Sequence, residues 1–134
     1  MKNKLVLVLR IITAVILLQT LYFKFTASSE SVYIFSRLGL EPYGRIFAGI
    51  SELIAAILLL IPSTFIFGAM ASAGIISGAI LSHLTVLGIE VQNDGGLLFL
   101  LALIVFLFST GILIIEREKV IKLIQILLRK NSNQ

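Results

Sequence analysis

Two ionisable side chains stand inside hydrophobic runs of this chain: Glu52 in "GISELIAA" and His83, the only histidine, in "GAILSHLTVLG". An ionisable group at membrane depth costs roughly 2.5 to 3.5 kcal/mol on insertion scales, so it faces protein or water and often serves function. A carboxylate and an imidazole on neighbouring helices could hold a ligand or pass protons. They could equally bond to each other and keep the helices in register, as an ion pair or with both groups neutral. Perturbed titration accompanies either arrangement and does not separate them. Other chemistry finds no motif: there is no P-loop, no GxGxxG after a strand, no HExxH and no pair of histidines for a haem. A metal at Glu52 and His83 would lack further obvious protein ligands. The chain has no cysteine, which removes disulfides, thiol exchange, iron–sulfur clusters and covalently attached haem.

These residues sit in an integral membrane protein. Hydrophobic residues make up 58% of the chain, charged ones 13%, and the mean hydropathy is +1.08, outside the range of soluble domains. A length of 134 residues leaves room for four helices of roughly 20 residues with short connections, hence one all-α domain over residues 1–134. The runs 5–23, 43–61, 65–87 and 96–115 are long enough to span. Pro42 suits the start of the second span and Pro62 its end, while "NDGG" at 93–96 makes the turn between the third and fourth. "MKNK" before an apolar run would also begin a secretory signal, but the run is too long and three more follow.

Lysine and arginine placement gives a direction. Lys2, Lys4, Arg10, Arg117, Lys119, Lys122, Arg129 and Lys130 fall on one side, and Lys24, Arg37 and Arg45 on the other. Eight against three predicts both termini in the cytoplasm, with the chain in the inner (plasma) membrane. Basic residues beside apolar ends favour anionic lipid over nucleic acid as the partner of the net +4 charge. Arg10, near the cytoplasmic end of its span, reads as a snorkelling anchor. Between the first two spans, "SSESVYIFSRLGLEP" predicts a short helix on the outer surface, capped by Ser29 and ended by Gly39. After the fourth, "EREKVIKLIQILLRK" separates Lys119, Lys122 and Arg129 from Val120, Leu123, Ile124, Leu127 and Leu128. That pattern suits an amphipathic cytoplasmic helix on the interface, or a simple extension of the fourth span.

With this topology Glu52 lies seven residues below Arg45, and His83 seven below Glu90, so each is roughly 10 Å under its interfacial charge. Gln19, five residues before Lys24, lies roughly 7 to 8 Å deep. Gln19, Glu52 and His83 thus reach one layer in the outer half of the membrane, beneath Lys24 and Arg45. These five are the candidate ligand or proton site. In the third span Gly74, Gly78 and Ser82 form a row of small residues, with Ala69, Ala73 and Ser77 parallel to it. Such rows pack helices within a bundle or join two copies into a homodimer.

"LQTLYFKFT", "EPYGRIFAGISELIAAILLLIP" and "GAILSHLTVLGIEVQNDGG" together resemble the DoxX-like membrane proteins, over roughly residues 9–114. The resemblance implies a four-helix membrane bundle with Lys24, Arg45, Glu52 and His83 among its characteristic polar positions. It also implies association with membrane redox or oxidative-stress complexes, which makes a quinone, or a redox partner subunit, a candidate for the pocket. Most such proteins have no assigned reaction. The expectation is therefore a chain without independent catalysis that binds a small amphiphile or a partner subunit, with a proton-coupled carrier as the alternative.

Overall fold

The computed structural model describes residues 1–134. Its helices are α1 (Lys2–Phe25), α2 (Ser29–Arg37), α3 (Tyr43–Leu60), α4 (Phe65–Ser82), α5 (Leu97–Ile115) and α6 (Arg117–Ser132), with a π-helical turn, His83–Leu87, continuing α4. There is no strand, and α1, α3, α4 with its π turn, and α5 are long and apolar enough to cross a membrane. They form a ring in which α1 packs on α3, α3 on α4, α4 on α5 and α5 on α1.

Each span buries one helical stripe. On α1 this is Val6, Arg10, Thr13, Ala14, Leu17 and Leu21, and on α5 it is Ala102, Val105, Ser109 and Ile112, all at spacings of three or four residues. The outward stripes carry the bulk: Leu7, Val8, Ile11 and Val15 on α1 are exposed to the lipid that the bundle requires. Lipid is as apolar as leucine, so the ring closes by close packing rather than by hiding large side chains from water. Small residues therefore line the interior, including Ala14, Ala55, Ala56 and Ala69 with no exposed surface. The tightest approach is at Gly68 of α4, where a Cβ would lie 2.5 Å from the backbone nitrogen of Leu59 on α3. Gly74 and Gly78, the row read from the sequence, would meet nothing within 4 Å.

Hydroxyls on the spans are satisfied locally. Thr13 donates to Leu9 O, Ser72 to Gly68 O and Ser77 to Ala73 O, one turn back along the same helix. Ser109 is the exception, with a buried Oγ that has no partner.

At the end of the bundle that carries both termini, Arg10 is not a snorkelling anchor. It is buried, and donates from Nε to Leu59 O at 2.7 Å and from Nη2 to Leu60 O at 3.0 Å, with its guanidinium 4.5 Å from the centre of the Phe65 ring. Those carbonyls end α3, where the chain turns extended at Ile61 before Pro62 and leaves them without helical partners. Arg10 supplies the missing donors. Beside it the buried Glu116 faces Lys119 at 3.0 Å and Lys2 at 3.8 Å, at the break that separates α6 from α5. α6 is thus a helix of its own rather than an extension of the fourth span. None of its residues is fully buried.

At the other end, α2 is capped by Ser28 rather than Ser29: Ser28 Oγ accepts from Ser31 N at 3.3 Å. Its C-terminus closes by bonds from Gly39 N to Ser36 O and Leu40 N to Phe35 O, with Gly39 at φ +70°. α2 packs on α1, α3 and the π turn, across the mouth of the bundle.

Candidate functional site

Beneath α2 the four spans diverge around a cavity of about 960 Å³, of the size that takes a small organic ligand. Of its 32 lining residues 19 are hydrophobic, so most of the wall suits an apolar body and the polar groups are few enough to orient one. Lys24, Glu52 and His83 are among them.

Glu52 is 6% exposed and is held by α1. Lys24 Nζ lies 3.0 Å from Glu52 Oε2, and Thr20 Oγ1 lies 2.8 Å from the same oxygen. Thr20 Oγ1 is also 2.8 Å from Leu17 O, so its one proton can serve either acceptor but not both at once. Helical spacing puts Thr20 about 40° around α1 from Lys24, whereas Gln19 is about 140° away. Gln19 accordingly lies exposed at the cavity's edge and makes no hydrogen bond to Glu52 or His83. Thr20 was the residue to find, and the four-residue spacing to Lys24 was its signal.

Arg45 is buried but not on the cavity wall. Its Nε donates to both oxygens of Glu41, at 2.9 and 3.0 Å, and its Nη1 donates to Lys24 O. A guanidinium on the carbonyl end of α1 is favourable for the helix dipole and fixes the backbone from which the Lys24 side chain departs. Gly49 assists the same contact, since a Cβ there would lie 2.8 Å from the Phe25 ring.

His83 occupies a different part of the wall and makes no bond to Glu52. Its Nδ1 lies 2.9 Å from Gly88 O, while Gly88 N donates to His83 O at 2.8 Å, so ring and backbone close the π turn together. Gly88 permits this at φ +80°. The Phe99 ring meets the imidazole edge-on at 5.5 Å. The adjoining loop is held by Asp94. Desolvation raises its carboxyl pKa, but backbone donors at Val91, Leu98 and Gly96, with the nearby His83, outweigh that and hold it below the ordinary value of 3.8.

Of the five candidates, then, Lys24 and Glu52 form one hydrogen-bonded cluster with Thr20, Arg45 braces it from outside, Gln19 stands apart, and His83 faces the same cavity alone. No three His, Asp or Glu side chains converge as metal ligands. The cavity is an apolar body with hydrogen-bonding groups on its wall.

No curated protein and no solved structure matches the chain. The sequence profile described as the DoxX-like family matches residues 8–108, which takes in α1 through α4, the π turn, the Asp94 loop and most of α5, and therefore every wall of the cavity. The chain belongs to the DoxX-like family of membrane proteins.

Proposed function

We propose that this protein holds one small amphiphile, quinone-like in size, in the cavity beneath α2, without catalysing a reaction of its own. The observation that carries this reading is a wall mostly apolar yet furnished with Lys24, Glu52 and His83. The basic excess beside the termini supports an inner-membrane orientation with both ends in the cytoplasm, so that the cavity belongs to the outer leaflet. A ligand held there could be presented to a membrane redox partner; of the small-residue row, Gly78 and Ser82 line the cavity, and Gly74 alone leaves room for a second copy of the chain.

Equilibrium binding of decylubiquinol, kept reduced, to the protein in lipid nanodiscs tests the proposal. Saturable binding at one per chain, weakened by Glu52→Gln, is expected. Binding that only tracks the amount of lipid would remove it. A second reading rests on Glu52 and His83 lining the same space: a proton-coupled carrier. Proteoliposome flux that is indifferent to Glu52→Gln at every pH would count against that.

A further inference from the structure

The polar atoms on the cavity wall differ in what they still need. Gly88 O is a carbonyl and can only accept, so the 2.9 Å contact puts the proton of a neutral His83 ring on Nδ1. Nε2 is then a lone-pair acceptor, and it has no hydrogen-bond partner within the chain although the residue is only 6% exposed. The Nδ1 contact to Gly88 O and the edge of Phe99 hold the ring in this orientation. Both protein contacts to Glu52, which lines the same cavity, fall on Oε2, which leaves Oε1 without a donor as well. Asp94, also on the wall, already accepts from three backbone N–H groups.

We infer that the head of the bound amphiphile is a hydrogen-bond donor, a hydroxyl such as that of a phenol or hydroquinone, received by His83 Nε2. This rests on the reading of the cavity as an amphiphile site and specifies its ligand. A carboxylate or phosphate head would bring only acceptors, and the one cation on the wall, Lys24, is already paired with Glu52 among the further carboxylates Glu30 and Asp94. An ammonium head would donate, but Lys24 already occupies the place beside Glu52 and repels it. A neutral hydroxyl meets neither objection. In a quinone-type ligand it is the reduced form that carries this group.

The test compares 4-nonylphenol with 4-nonylanisole, which has the same body with the donor methylated, in nanodiscs holding protein labelled with ¹⁵N-histidine. With one histidine in the chain, both ring nitrogens are assigned without ambiguity. The free protein should show the Nδ1–H tautomer. The phenol should bind about tenfold more tightly than the anisole, the size of one buried hydrogen bond, and shift Nε2, which the anisole should leave in place. His83→Phe should bring the phenol to the anisole's affinity. Equal affinities with an unmoved Nε2, or an Nε2–H or imidazolium pattern in the free protein, would overturn the inference and leave the cavity reading standing. Binding of neither probe would overturn both. The spectrum of the unaltered protein decides the tautomer even if His83→Phe fails to fold.

Discussion

The two ends of the bundle both bury charge, and they do so to opposite effect. At the terminal end Arg10 spends two donors on the last carbonyls of α3 and lays its plane on Phe65, and Glu116 is flanked by Lys2 and Lys119. The space left there is about 250 Å³. Under α2 the cavity is about 960 Å³, and Glu52 Oε1 and His83 Nε2 face it without partners. A buried polar group whose capacity is used up by the chain holds the fold together. One with capacity left over at an open wall is free to meet a ligand, which is the contrast the proposed function rests on.

Variants at each end can break this contrast. Arg10→Ala should have the largest effect on stability, a loss of about 3 kcal/mol, because it strands the buried Leu59 carbonyl and the part-buried Leu60 carbonyl. Thermal unfolding in detergent would show it, and the folded fraction should still bind decylubiquinol. Next is Gly68→Ala, whose Cβ must push Leu59 away and should cost about 2 kcal/mol, while Gly74→Ala meets open space and should cost nothing measurable. If the two were equally harmful, the α3–α4 contact would lie elsewhere on the helix.

Asp94 gives a smaller, pH-dependent effect at the cavity end. Its folded pKa is depressed, so its contribution is fully present above the ordinary value of 3.8 and is lost as pH falls through the lower folded value. The stability gap between the parent and Asp94→Asn should therefore close on acidification below that point. A gap that widened would contradict the loop geometry. Smallest is Ser109→Ala, which removes a buried hydroxyl with no partner and should be neutral or slightly stabilising by chemical or thermal unfolding.

How much of this was legible in the sequence differs between backbone and side chains. Span lengths, the turn at Asp94 and the Pro62 break follow from hydropathy runs and from Gly and Pro, which act locally, and the elements lie within three residues of the expected bounds. Position along each helix follows from a rise of 1.5 Å per residue and needs no tertiary information. Azimuth was harder. Gln19 and Thr20 are neighbours at nearly one depth, yet only Thr20 faces Glu52, and composition offers no reason to choose the threonine. Arg10 was misread for a related cause: a basic residue near a span's end snorkels unless another helix offers it acceptors, and the exposed end of α3 is visible only once the helices are side by side. The pairing of His83 with Gly88 depends on a π turn, which leaves no periodic signature in five residues.

The central claim is that the cavity beneath α2 holds one amphiphile, and native mass spectrometry of the protein released from its own membranes tests it most directly. Gly78 lies on the cavity wall and a side chain there starts from open space, so Gly78→Phe should put a ring into the cavity and crowd out a ligand without disturbing the bundle. The parent chain should carry a single small-molecule adduct, absent from Gly78→Phe, and the same spectrum reports whether either protein is a dimer. Adducts identical in number and mass for the two proteins, or none on either, would contradict the account.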